Sequence, residues 1–243
     1  ALSGSGPAVM AHAGSVPVLA VEMLPDEAAL VVETSGSTRA PKRVWHTAGS
    51  LRAAANQVNR KLEGGQGVWW SVLPTHYVAG LMIEARAIEG GGTVFYRQSG
   101  ESLGESLASF SQWVNADHSG LPRYTSLVPK QLVDLVEFAE RDQSALRSLL
   151  AFDRVLVGGQ RVDPGLIERA TDLGVRVTRT YGAAETAGGC VWDGVPLGET
   201  TVDIFEGNVA VSGPMLAGGY LGEDELTRSH FVDYHDTRWF VSN

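Results

Sequence analysis

Residues 28–42 read AALVVETSGSTRAPK. The first part, Ala28–Glu33, is a short apolar run rich in valine and bounded by turn residues, which reads as a buried strand. It runs straight into Thr34–Lys42, a polar loop of hydroxyls and glycine that closes on Pro41 and Lys42. Leu51, Ala54, Ala55, Val58 and Leu62 then recur at helical spacing, and Gly64-Gly65 stands where a helix would stop. A strand, a polar loop and an amphipathic helix make the opening unit of an α/β protein.

Outward from this unit the alternation repeats. Strands are expected at Val68–Leu73, Gly92–Tyr96, Arg123–Val128, Arg154–Val157 and Arg176–Thr180. Helices are expected at Val78–Ile88 and Leu103–Asn115, after Pro129, and after the capping pair Asp163-Pro164. Such alternation implies a largely parallel sheet with right-handed crossovers. From Gly189 onward the helices are expected to stop, and short strands at Gly189–Trp192, Thr201–Phe205 and Asn208–Val211 take over. Residues 1–27 read as an irregular lead-in with a short strand at Val16–Val21. The expected class is α/β: mixed, largely parallel sheets with helices on both faces in a layered arrangement, plus a small β-rich subdomain toward the C-terminus. The expected division is a core at residues 1–188 and a β-rich subdomain at 189–243, both parts of one large domain.

Composition narrows the partners. The 243 residues and 44% hydrophobic content support a sizeable core, and 29 glycines suit a turn-rich α/β protein rather than a helical bundle. The net charge is −9 with no dense Lys/Arg cluster, which argues against nucleic acid or an anionic membrane as partner. Cys190 is the only cysteine, so an intramolecular disulfide and a multi-thiolate metal site are both excluded. No apolar run approaches the ~20 residues that span a bilayer, and no signal peptide is legible. A cytoplasmic protein is expected, with small-molecule partners and a homodimer as an option.

The Thr34–Lys42 loop has a clear physical use. Its hydroxyls and backbone N–H groups can wrap phosphate oxygens, a following helix N-terminus would add a favourable dipole, and Lys42 supplies a point charge. The GxxxxGK(S/T) loop of kinases and GTPases is absent, which disfavours a kinase-type phosphotransferase. An exposed Ser/Thr-rich turn reads about equally well from composition alone.

Further along, Gly158-Gly159-Gln160 closes one strand and Thr180–Thr186 (TYGAAET) closes another. Read singly, Tyr181 is plain core and Glu185 a solvated acid at a helix start. Both fall at strand C-terminal ends, however, where open α/β sheets bind ligands.

These stretches carry a resemblance. Thr34–Val44 (TSGSTRAPKRV) resembles the phosphate-binding signature TSG(S/T)TGxPKxV of the adenylate-forming enzymes, which include acyl-CoA synthetases, peptide-synthetase adenylation domains and luciferases. Arg39 stands where that family has glycine. Gly158-Gly159-Gln160 resembles the GGE/GGA element, Thr180–Thr186 the YGxTE element, Val211–Tyr220 (VSGPMLAGGY) the GPxLxxGY element, and Leu73–Gly80 (LPTHYVAG) the PLFHVSG element. Whole-chain likeness, with Arg123–Pro129 and Gly188–Leu197, is greatest to the o-succinylbenzoate–CoA ligases of menaquinone biosynthesis.

The resemblance implies an acid–thiol ligase using ATP, Mg²⁺ and CoA. Thr34, Ser35, Gly36, Ser37, Gly158, Gly159, Gln160, Thr180, Tyr181 and Gly182 would bind nucleotide, with Tyr181 against adenine. Thr38, Lys42, His76 and Glu185 would serve catalysis, and Glu185 would hold the metal. Ala184 replaces the usual Thr or Ser, which removes one hydrogen bond to the α-phosphate, worth about 1.5–3 kcal/mol.

The substrate of that group of ligases has two carboxylates, so the one not activated needs a cation or a polar cradle. Arg86, within LMIEARAIEG, is the candidate, with His76, Thr125, Ser126, Gly188 and Gly189 as pocket walls. An internal pair of Arg86 with Glu84 or Glu89 reads about equally well, and a lone His such as His76 is more commonly structural. His12, His46, His118, His230 and His235 read as structural. The end, Trp239–Asn243, looks like the start of the family's W(F/Y)xTGD element. More chain is therefore expected to follow, including the lid domain that supplies a catalytic lysine, and full turnover is not expected from these residues alone. Two other readings stay open: a different aryl- or acyl-CoA ligase or adenylation domain, and a non-catalytic nucleotide-binding module.

Overall fold

The computed structural model describes residues 2–11, 24–34, 41–62 and 66–242. Its largest sheet has seven strands: β4 (Val68–Ser71), β5 (Thr93–Tyr96), β6 (Arg123–Leu127), β7 (Arg154–Val157), β8 (Val177–Ala183), β9 (Gly188–Trp192) and β10 (Val195–Pro196). They lie in the order β10-β9-β8-β7-β6-β4-β5. The five from β8 to β5 are parallel, β9 runs antiparallel to β8, and β10 runs antiparallel to β9. The chain steps from β4 outward to β5, then returns to the other side of β4 to lay down β6, β7 and β8. Strand order therefore reverses beside β4, and a crevice at such a reversal is where ligands of open α/β sheets settle.

Both faces of the middle of this sheet are covered, so β4 (VWWS) and β7 (RVLV) are near-continuous buried runs rather than alternating ones, whereas β8 (VTRTYGA), toward one edge, keeps exposed polar positions. Trp69 and Trp70, adjacent on β4, point to opposite faces and are both fully buried. One face carries α1 (Ala48–Lys61) and α2 (Val78–Gly90), and Trp69 packs there with Val58 and Ile83. On the other lie α3 (Leu103–Asp117), α4 (Pro129–Arg141), α5 (Gln143–Leu150) and α6 (Pro164–Asp172), where Trp70 meets Phe110 and Phe152. The helix starts are chemically marked. Ser102 and Glu105 form a reciprocal capping box on α3, Pro129 opens α4, and Asp163 caps α6 from just before Pro164.

A second sheet has the order β1-β2-β3-β13, made of Val9–Ala11, Ala28–Glu33, Arg43–Thr47 and Gly219–Tyr220. It sits beyond α1 and α2, and a third apolar cluster joins Leu30, Val32 and Val44 to Leu51 and Ala55 of α1 and to Met82 of α2. The third sheet is antiparallel, with the order β11-β12-β15-β14, from Thr201–Phe205, Asn208–Ser212, Thr237–Val241 and Phe231–Tyr234. No helix of the described residues is long and apolar enough to cross a membrane.

The α/β layered class expected from the sequence is the one observed. Three local expectations are corrected. The loop after β2 does not lead straight to a helix, because Arg43–Thr47 returns antiparallel beside β2 and places the α1 N-terminus a strand's length away. That strand is about 17 Å long at about 3.3 Å per residue, so the α1 dipole does not act on the loop. Helices also do not stop at Gly189, since α7 (Asp224–His230) follows β13. Its sequence, DELTRSH, offers no apolar period to read. Finally, α5 was not foreseen; Asp142 ends α4 and caps α5 at once by accepting from the Ala145 N–H. The predicted strand at Val16–Val21 and the Gly64-Gly65 stop lie outside the described residues.

Candidate functional site

A cleft of about 500 Å³ opens at the carboxyl ends of β6, β7 and β8, beside the strand-order reversal. Four pieces of chain meet there. Thr34 and Lys42 come from the two ends of the β2–β3 connection, whose base is closed by the Thr34 N–H donating to the Lys42 carbonyl at 2.9 Å. Gly158 and Gly159 follow β7, Thr180 and Gly182 end β8, and Ser126 lies on β6.

The glycines at this convergence are required by close approach. A Cβ on Gly158 would stand 2.3 Å from Thr180 Oγ1, and one on Gly182 would stand 2.0 Å from the Gly188 carbonyl oxygen. Both distances are shorter than any side chain tolerates, so the strand ends can draw together only if these positions lack a side chain.

Arg86 reaches the cleft from α2. The residue is 5% exposed, and burial lowers its pKa to about 10, which leaves it charged at neutral pH. Its Nη1 donates to Ser126 Oγ at 3.3 Å and the guanidinium lies 5.7 Å from the Trp69 ring centroid, while Nε has no acceptor. Neither expected internal partner takes it. Glu84 accepts from Tyr96 and Glu89 from Asn56. Among the described residues no carboxylate pairs with Arg86, and a buried cation left this way calls for an anion in the space it faces.

Glu185 also lines the cleft, from a 3-10 turn at Ala184–Thr186. It is buried, and its Oε1 accepts from the Tyr220 hydroxyl at 2.7 Å. Burial and the adjacent carboxylate push the Tyr220 phenol well above its usual range, so it stays a donor. The Lys42 ammonium lies 5.0 Å from the Tyr220 ring centroid. Tyr220 thus braces the acid and flanks the cation. The next turn residue is held as well: His46 Nε2 donates to the Ala184 carbonyl at 2.8 Å, and its Nδ1 lies 3.2 Å from Ser50 Oγ. Burial lowers the His46 pKa to about 4, so the ring is neutral.

Magnesium fits this donor set in one way. Among the described residues no group of three or more His, Cys, Asp or Glu side chains could hold a metal ion. Mg²⁺ is commonly bound by one or two carboxylates together with substrate phosphates and water, and Glu185 supplies one carboxylate on the cleft wall.

The structure thus brings Thr34, Lys42, Arg86, Ser126, Gly158, Gly159, Thr180, Gly182, Glu185, Gly188 and Gly189 to one cleft. Tyr181 and Gln160 line an adjoining cavity that shares Gly159, Thr180 and Gly182 with it, and Tyr181 is 43% exposed. Thr125 is fully buried and donates to the Trp70 carbonyl, away from the cleft lining. His76 is half-buried against Tyr77, and it is Tyr77 that lines the cleft. The phosphate-loop residues Ser35, Gly36, Ser37 and Thr38 lie outside the described residues.

Sequence reasoning missed the parts played by His46 and Tyr220. In the sequence Tyr220 is only the end of the Val211–Tyr220 stretch, and His46 reads as structural. Tyr220 arrives through the pairing of β13 with β3, where it lies opposite Val44, and His46 through its hydrogen bond to Ala184, contacts across more than half the chain that no local pattern announces.

Comparison with known proteins agrees with this geometry. Residues 8–221 match the family described as AMP-binding enzyme. A probable 2-succinylbenzoate–CoA ligase of Mycobacterium tuberculosis is 37% identical over 225 residues, covering 90% of this chain and 57% of the relative. A 2-succinylbenzoate–CoA ligase of Bacillus cereus is 27% identical over 231 residues, covering 84% and 44%. The chain therefore spans about half the length of the curated relatives it matches. The o-succinylbenzoate CoA synthetase (MenE) of Bacillus subtilis, in complex with ATP and magnesium ion, superimposes with a TM-score of 0.73 at 21% identity, over 88% of this chain and 49% of that one. With the fold, the cleft at the strand-order reversal and the family match in agreement, this chain belongs to the AMP-binding enzyme family.

Proposed function

We propose that the protein activates 2-succinylbenzoate with ATP, forming the acyl-adenylate and pyrophosphate, and passes the acyl group to CoA with release of AMP. The observation that carries the choice of acid is Arg86, a buried guanidinium without a carboxylate partner among the described residues, facing the cleft that Lys42 and Glu185 also line. An acid with a second carboxylate can pair with this guanidinium, whereas a monocarboxylic acid has no group for it. The 2-succinylbenzoate–CoA ligases of M. tuberculosis and B. cereus support the same choice.

In this reading the attacking carboxylate is already ionised at neutral pH, so no general base is needed. Arg86 and Ser126 hold the distal carboxylate and fix the acid's direction in the cleft. Thr34, Ser35, Gly36, Ser37 and Thr38 with Lys42 surround the triphosphate, where fixed donors and a cation offset the charge that grows on the phosphate oxygens. Tyr181, Gly159, Gln160 and Gly182 form the adenine end. Tyr220 holds Glu185 in place, and Glu185 is the residue that would hold Mg²⁺, which neutralises phosphate charge. His76 stands at the mouth. The partners of this reading are small molecules, in a cytoplasmic setting.

Calorimetric titration of the chain with two non-hydrolysable adenylate mimics tests it, one carrying o-succinylbenzoyl and one carrying benzoyl. Arg86→Gln is expected to weaken the first by roughly 10–150-fold, the equivalent of about 1.5–3 kcal/mol for a hydrogen bond to a charged group. The benzoyl mimic should bind the variant and the parent alike. Equal losses for both ligands would reject 2-succinylbenzoate as the acid.

A further inference from the structure

A second cavity, of about 560 Å³, lies at the other end of the large sheet. Arg154 opens β7 and lines this cavity, whereas Gly158, just past the end of the same strand, lines the adenylate cleft. Arg60 and Lys61, from the last turn of α1, stand on its wall with Gln57 and Trp192.

Its electrostatics are out of keeping with the chain. The protein carries 28 acidic and 19 basic side chains, yet Arg60, Lys61 and Arg154 have no carboxylate partner among the described residues. The one acidic side chain lining the cavity, Asp193, is engaged with Arg179 at 3.1 Å. A helix C-terminus attracts cations, but its partial charge is about half an electron, too little to account for two cations and irrelevant to Arg154. Hydrogen-bond donors are in excess as well. Gln57 and Trp192 are 3% and 5% exposed, and Gln57 Nε2, Trp192 Nε1 and Arg154 Nε have no acceptor. Arg154 uses Nη1 on Thr178 Oγ1 at 3.3 Å, so part of its fork is already fixed in direction.

Unpaired guanidinium and ammonium groups around a single carboxylate that is already paired match an anion with several oxygens, and arginine forks match phosphate geometry best. We propose that this cavity is a second anion site, distinct from the adenylate cleft, that takes a phosphate or pyrophosphate group, free or as an ester. The proposal does not depend on which acid the protein activates.

The test follows the Trp192 indole N–H resonance, assigned with Trp192→Phe, during titration with inorganic pyrophosphate and, separately, with ribose 5-phosphate, ionic strength being held constant with NaCl. A saturable shift with at least one probe is expected. Pyrophosphate alone would identify the free anion, and ribose 5-phosphate the ester. Arg60→Gln/Lys61→Gln, both exposed positions, should weaken it by at least about tenfold. Arg154→Gln, on β7 rather than α1, should do the same. Lys42→Ala, in the adenylate cleft, should leave it unchanged. The site is disproved by no saturable shift with either probe, an equal shift with NaCl alone, full binding in the double variant, or loss of the shift in Lys42→Ala.

Discussion

His46 shows how one side chain ties the second sheet to the cleft. Its ring is buried between α1 and the turn that carries Glu185, donating to the Ala184 carbonyl. Burial lowers its pKa from the usual 6.5 to about 4, against a smaller upward pull from that hydrogen bond. The unfolded chain therefore takes up a proton as pH falls through 6.5, whereas the folded chain stays neutral down to about 4. Stability present above that upper value is lost progressively across this window, by on the order of 3 kcal/mol. Urea titrations stepped between about pH 7.5 and about pH 4 should show the loss, and His46→Gln should flatten the slope over that range. An unchanged slope in the variant would assign the acid sensitivity to other groups. Nothing in the sequence around His46 marks it, because its partner Ala184 is distant in the chain and reaches it only in the folded state.

At the element scale, two glycines make opposite predictions. Gly182 on β8 has the Gly188 carbonyl 2.0 Å from where a Cβ would sit, and that atom belongs to the backbone of the neighbouring strand. Gly182→Ala should destabilise the protein by about 3 kcal/mol or more, since a paired strand cannot yield as a side chain can. Gly49, in the first turn of α1, would place a Cβ 3.5 Å from Thr47 Oγ1, an ordinary contact. Gly49→Ala should instead stabilise by up to about 1 kcal/mol, by restricting the unfolded chain and favouring helix. Denaturant midpoints of the two variants should move in opposite directions. Strands and helices with a strong apolar period, such as β7 and α4, were legible in the sequence nearly to the residue. The strand Arg43–Thr47 was not, because it follows the polar loop at once and precedes the helix with no punctuation. A short piece like α7, with no apolar period of its own, owes its existence to packing against β13 and its neighbours rather than to its own propensity.

For the whole molecule, the cleft walls come from residues as far apart as Val32 and Gly189, drawn from two sheets and the helix layer between them. A ligand that bridges these walls binds the folded chain and not the unfolded one. The o-succinylbenzoyl adenylate mimic, at about one hundred times its Kd, should therefore raise unfolding stability by about 2.7 kcal/mol. Thermal unfolding followed by tryptophan fluorescence should shift as a single transition. A shift confined to one phase would mean that the sheets unfold independently and that the ligand ties only one of them.

What the sequence determined by itself was the strand–helix alternation from β4 to β8 and the layered α/β class, together with the short loops that are the candidates for chemistry. These are written locally, in apolar periods, capping residues and short loops whose residue types suit phosphate. What only the tertiary structure decided was which of those segments share a space: Arg86 unpaired against Ser126, Glu185 held by Tyr220, and His76 beside rather than on the cleft lining. Those outcomes depend on strand register and on packing between residues distant in the chain. Such contacts form only when the layers close, so no stretch of sequence carries them alone.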